Sequence, residues 1–114
     1  MKLAIKLAVS AIVMISAATM ANALQLSDYL RNKNTQSDMI QALLMTMGQS
    51  YNYANGVLKH ENQALLFCAP GTLRIASEQY QIILEDYLRR FPQQDDIAVE
   101  GVLLFALVDA FPCK

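Results

Sequence analysis

The chain has 114 residues, of which 54% are hydrophobic and 17% charged, and its formal net charge is −1 at pH 7. That length suits a single domain, and the composition excludes both a strongly basic nucleic-acid binder and a chain too polar to bury a core. The apolar excess is unevenly placed. Residues 1–23 hold 17 apolar residues, Lys2, Lys6 and no acid. Without them seven bases face ten acids on 91 residues, a formal charge of −3, and about half of those residues are apolar, as in ordinary globular domains.

Residues 1–23 have the layout of a secretory signal peptide. Lys2 and Lys6 form a positive start, residues 7–18 an apolar centre, and Ala21-Asn22-Ala23 offers small residues at the two positions a signal peptidase reads. The cut is expected between Ala23 and Leu24. The alternative is an uncleaved anchor, but residues 7–23 scarcely reach across a bilayer and are interrupted by Ser10, Ser16, Thr19 and Asn22. No cysteine stands beside the cut, which argues against an acyl-anchored lipoprotein. The expected product is exported and soluble, periplasmic in a Gram-negative cell. Cys68 and Cys113 are the only cysteines, and in an oxidising compartment they are expected to pair with each other. Free thiols or an intermolecular bridge are the alternatives. A bridge between positions 68 and 113 would contribute at most roughly 4 kcal/mol by chain entropy, a large part of the ~5–15 kcal/mol that holds a small domain.

A short helix is expected around residues 27–32. Thr35-Gln36-Ser37-Asp38 then has capping-box spacing, with Asp replacing the usual Glu. Ile40, Leu43, Leu44, Met47, Tyr51, Ala54 and Leu58 follow on one stripe, predicting a long helix over about 36–60, with Gln41, Gln49, Asn52 and Asn55 on its wetter side. Gly48 and Gly56 weaken it locally and would let a neighbouring helix approach. Phe67-Cys68-Ala69-Pro70-Gly71 is a break, and Thr72 is a plausible N-cap. The next stripe is Ala76, Tyr80, Ile83, Leu84, Tyr87, Leu88 and Phe91, with Glu85–Arg89 and Asp86–Arg90 spaced as i,i+4 ion pairs. Pro92 ends it. After a polar link, Asp95 or Asp96 can cap a last helix over 97–111, whose only non-apolar residues are Glu100, Gly101 and Asp109. Such a helix belongs at the centre of a bundle or beneath a partner, and Pro112 stops it. The expected fold is all-α: a small compact bundle of four to five helices with one disulfide.

Catalytic patterns are missing. His60 is the sole histidine; His60-Glu61 opens like a zinc-protease helix motif, but Ala64 occupies the second ligand position. No Cys–His or Ser–His–Asp set can be assembled around it, and no Cys-x-x-Cys-His offers haem attachment. Met39, Met45 and Met47 at helical spacing read as packing residues rather than soft metal ligands. Glu85-Asp86 and Asp95-Asp96 resemble paired carboxylates, yet the first two have arginines one turn on and the second two sit where caps sit. Neither an enzyme nor a cofactor is expected, and the molecule looks built to bind something.

The C-terminal half resembles the Rap/Tai family of immunity proteins. The residues that carry the likeness are Gly56, then Phe67-Cys68-Ala69-Pro70 and Thr72-Leu73, then Tyr87-Leu88 with Pro92, and finally Ala106-Leu107 and Ala110-Phe111-Pro112-Cys113. It covers roughly residues 56–113; residues 24–55 agree only in being helical. Both cysteines fall where the family's disulfide falls. The resemblance implies a periplasmic helical protein, commonly a homodimer, that binds a cognate peptidoglycan amidase effector of type VI secretion, blocks its cysteine-dependent active site and spares the cell wall. The matching residues are structural, and toxin-contacting residues do not carry over from the family.

Physical reasoning places the contact surface on exposed polar segments and the adjoining helix faces: Asn52 and Tyr53, then Lys59, His60 and Gln63, and the acidic, Gln-rich link of Gln93, Gln94, Asp95 and Asp96. Each residue taken singly also fits an ordinary solvated surface. The main rival is a periplasmic acid-stress chaperone of the small helical, single-disulfide type, which would loosen and expose apolar surface at low pH. A helical carrier of lipid or another apolar ligand is a third class, and would require a hollow core.

Overall fold

The computed structural model describes residues 24–70 and 75–114. Residues 1–23, including Ala23 and the expected signal peptide, lie outside the described residues, as does Thr72. The chain is all-helical, with four helices among the described residues: α1 (Leu26–Asn32), α2 (Ser37–His60), α3 (Ser77–Arg90) and α4 (Val99–Ala110). None of the described helices is long and apolar enough to cross a membrane.

α1 starts from Gln25, whose extended backbone N–H is met by the Asp28 carboxylate at 3.3 Å. Asp28 in its first turn and Arg31 in its last suit the helix dipole. The capping box expected at Thr35 and Asp38 does not form. The Gln36 N–H bonds back to the Asn32 carbonyl at 2.8 Å, so the chain turns directly from α1 into α2, and no side chain caps α2. At its other end, α2 closes through a left-handed residue. Asn62 has φ 56°, its N–H bonds to the Lys59 carbonyl, and the Gln63 N–H reaches the Leu58 carbonyl at 2.8 Å. That is the paired hydrogen-bond pattern of a Schellman stop, with Asn taking the usual glycine position.

α3 is capped by Ala76 rather than Thr72. Ile75 and Ala76 precede it outside the helix, Ile75 packs against the core, and the Ala76 N–H donates to Gln79 Oε1 at 2.9 Å. Asp95 and Asp96 likewise do not cap α4, which begins after the extended Ala98. Their stretch is engaged by the start of the domain. Ser27 N–H donates to the Asp95 carbonyl at 3.0 Å, Leu26 N–H to that of Ile97 at 2.9 Å, and Val99 N–H to that of Leu24 at 3.0 Å, around an antiparallel bridge between Gln25 and Ala98. Pro92 and Pro112 stop their helices as expected: α3 ends at Arg90 and α4 at Ala110.

The core gathers around α4. Val99, Val102, Leu103 and Leu107 are fully buried against Leu26 and Tyr29 of α1, Ile40 and Leu44 of α2, and Tyr80 and Leu84 of α3, with Phe67 closing one side. The nearly all-apolar helix is therefore the bundle's centre, although Phe105 and Val108 on its outer side stay exposed. Gly48 gives the close approach expected of it, lying against the Tyr80 ring, whereas Gly56 faces open space. Leu43, assigned by its spacing to the inner stripe, is exposed instead. Cys68 and Cys113 form a disulfide, and the Cys68 N–H donates to the Phe111 carbonyl at 2.8 Å beside it.

Candidate functional site

The residues singled out in the sequence separate into two surfaces. On the first, Asn52, Tyr53 and His60 stand along one outer face of α2 with Gln49, Gly56 and Val57, lining a shallow groove of about 550 Å³. The helix repeat places them at steps of three and four, so one straight element presents them all. Asn52 is also tied inward: its Nδ2 donates to the Tyr80 hydroxyl at 3.2 Å. Burial pushes the Tyr80 phenol above its ordinary range, and the Asn52 bond partly offsets this. Lys59 borders a neighbouring groove with Asn55, Phe67 and Pro70. His60 and Gln63 are exposed in the last turn of α2 and just beyond it.

The second surface is the link between α3 and α4. Gln94, Asp95 and Asp96 are exposed and Gln93 is half-buried, its amide donating to the Phe91 carbonyl at 3.0 Å. The backbone hydrogen bonds to Leu26 and Ser27 hold this link in place, so its side chains project from a fixed frame. No hydrogen bond joins it to the α2 face among the described residues.

A third site was not foreseen. Between α1 and α3 lies an open groove of about 540 Å³ that includes Tyr29, Lys33, Ile82, Glu85 and Asp86. Glu85 does not pair with Arg89. One of its oxygens accepts from the Tyr29 hydroxyl at 2.9 Å and from Lys33 Nζ at 3.1 Å. Burial pushes the Tyr29 phenol well above its ordinary range, and Glu85 adds to the effect. Arg89 turns to Asp86 instead, which also receives Arg90 at 2.8 Å, while Arg90 continues to Asp109 of α4. The Arg90 hydrogen bond is the main cause of an Asp86 carboxyl held below the ordinary carboxylate range. Tyr29 of α1 and Lys33, the residue that caps its C-terminus, are the signal that could have pointed to this site. Glu85 and Asp86 thus face different partners, Glu85 the Tyr29 hydroxyl and Lys33, Asp86 the two arginines.

Another polar contact ties α2 to the start of α4: the Tyr51 hydroxyl donates to the Glu100 backbone carbonyl. Burial raises the Tyr51 phenol above its ordinary range, and the Glu100 charge adds to this. No group of three His, Cys, Asp or Glu residues is placed to hold a metal ion among the described residues. Compared with known proteins, the chain matches no family model, no curated protein and no solved structure.

Proposed function

We propose that this protein is a periplasmic immunity protein of the Rap/Tai type, binding and inhibiting a cognate peptidoglycan amidase effector of type VI secretion. The observation behind this reading is the convergence of its two most distinctive segments. Phe67-Cys68-Ala69-Pro70 and Ala110-Phe111-Pro112-Cys113, distant in sequence, meet through the disulfide and the Cys68–Phe111 backbone hydrogen bond. Phe67 is buried beneath them, and Ala106 and Leu107 are core residues of α4. Tyr87 packs on Phe91 with ring centroids 4.9 Å apart, just before Pro92. These described residues build a scaffold, and in this reading recognition falls to the exposed segments.

The link of Gln93, Gln94, Asp95 and Asp96 suits insertion into an enzyme cleft. Three of its four residues are exposed, it is rich in acceptors and amides, and it is pinned at the backbone, so little ordering entropy is lost on binding. The test is to look beside this gene for one encoding a Cys/His amidase, express that product and measure its inhibition by this protein. The wild-type chain is expected to block cleavage of peptidoglycan stem peptides, and a variant with residues 93–96 replaced by Gly and Ser to lose inhibition while its melting barely changes. Undiminished inhibition by that variant eliminates the link as the contact. Absence of any complex between wild-type protein and the neighbouring amidase overturns the immunity reading itself.

A further inference from the structure

Glu100 stands in the first turn of α4 with one oxygen unaccounted for. The residue is half-buried, and its Oε2 is shut away from solvent with no hydrogen-bond partner among the described residues. An enclosed carboxylate oxygen left unpaired is costly. No ion pair among the described residues includes Glu100, and the helix N-terminus offers only a partial positive charge. From α2, the Tyr51 hydroxyl is spent on the Glu100 backbone carbonyl. Burial and then the Glu100 charge raise the Tyr51 phenol, so the carboxylate lies near that hydroxyl but is not bonded to it.

The start of the domain lies against this same turn. Gln25 pairs antiparallel with Ala98, and the Val99 N–H donates to the Leu24 carbonyl at 3.0 Å. In an antiparallel ladder a residue that accepts from its partner turns its own nitrogen to the same side, so the Leu24 nitrogen faces the turn formed by Val99 and Glu100. In the uncut chain that nitrogen is an amide joined to Ala23, with a single donor of fixed direction. Cleavage adds one water across the Ala23–Leu24 bond: the new carboxylate leaves with the removed segment, and the amine stays on the domain. Below about pH 8 that amine is an ammonium with a full charge and several donors. We propose that the α-ammonium of Leu24, created by the cut, pairs with the Glu100 carboxylate and locks the start of the mature domain onto α4. The proposal rests on the expected cleavage before Leu24 and is independent of what the protein binds. Removal of residues 1–23 then completes the fold at this end, because the partner Glu100 lacks exists only after processing.

The cut and the pairing are tested separately. Intact mass of the protein recovered after export gives its first residue; Leu24 is expected, and a chain that begins elsewhere overturns the proposal at its premise. The chain beginning at Leu24 is then assembled from two peptides by ligation at Cys68 and refolded under oxidising conditions, with its α-amine free or acetylated and with or without Glu100→Gln. Acetylation and Glu100→Gln are each expected to raise the unfolding equilibrium constant about tenfold, and the two together little more than either alone. In the unmodified chain the α-amine should titrate above its ordinary value of about 8 and return to it in Glu100→Gln, a shift that a glutamate of merely structural importance does not produce. Effects on unfolding that simply add, or an α-amine whose titration is indifferent to Glu100→Gln, overturn the pairing while the cleavage site stands.

Discussion

Gly48 and Tyr80 share one space: a Cβ added at Gly48 would lie 2.2 Å from two ring carbons of Tyr80. The ring is buried and its hydroxyl is held by Asn52, so it has little freedom to swing aside. α2 and α3 therefore meet at a distance that only glycine permits.

The first prediction is a contrast between the two glycines of α2. Gly48→Ala should destabilise the protein by about 1–3 kcal/mol through overpacking, despite the better helix propensity of alanine. Gly56→Ala, with nothing within 4 Å of its new Cβ, should stabilise by about 0.5–1 kcal/mol. Urea titration at low protein concentration measures both. If the ring is the obstacle, Tyr80→Leu combined with Gly48→Ala will cost less than the sum of the two single changes.

Asn55 holds the segment after α2 with both ends of its amide. Its Nδ2 donates to the Phe67 carbonyl at 3.0 Å and its Oδ1 accepts the Leu66 N–H at 2.7 Å. Asn55→Ala is expected to cost about 1–3 kcal/mol, since two backbone groups lose their partner. Hydrogen exchange should accelerate at the amide of Leu66 while the amides of α4 keep their protection. Uniform acceleration across the chain would show that the amide supports the whole fold rather than this segment.

Replacing both Cys68 and Cys113 by Ser should lower stability by about 2–4 kcal/mol, up to the chain-entropy limit for a 45-residue closure. Denaturant titration of the wild-type protein with and without reductant gives the same comparison without mutation. Equal midpoints in the two conditions would show that the bridge contributes nothing to stability.

Stability should also fall at both pH extremes. The phenols of Tyr29, Tyr51 and Tyr80 are raised above 10.0, chiefly by burial. The folded state therefore keeps protons that the unfolded chain releases, so this contribution is complete below pH 10 and declines as pH rises beyond it. Tyrosinate absorbance should show those three groups ionising with unfolding rather than at their ordinary pKa. Asp86, held below 3.8 first by its Arg90 hydrogen bond, works in the opposite sense. Its contribution is present above that value and is lost as pH falls through the depressed pKa, so Asp86→Asn should flatten the acid limb of a pH–stability profile.

Helix existence was legible in the sequence because apolar spacing and proline are local signals. Tyr80 and Leu84 are buried on the stripe that predicted α3, and Pro92 and Pro112 mark its end and that of α4. The starts were misread because distant segments decide them. Ala98 rather than Asp96 precedes α4 since Leu24, Leu26 and Ser27 bond to that stretch from the far end of the domain. Glu85 forsakes Arg89 because α1 brings Tyr29 and Lys33 against it. Asn55, placed by its polarity on the wet side of α2, turns inward to serve a loop. Most of the candidate contact residues lie on the surface, but their division between a helix face and a pinned link depends on how the bundle folds back on itself.

The bond between Cys68 and Cys113 makes a covalent ring that contains both α3 and α4, while α1 and α2 lie outside it. A protease that cuts once within residues 69–112 therefore releases no fragment, and the nicked chain runs as one species until it is reduced. A cut within residues 61–67 separates two pieces at once. Wherever a protease reaches the chain, the ring turns a single scission of its central helix from a loss of material into a nick that can re-close around the same core.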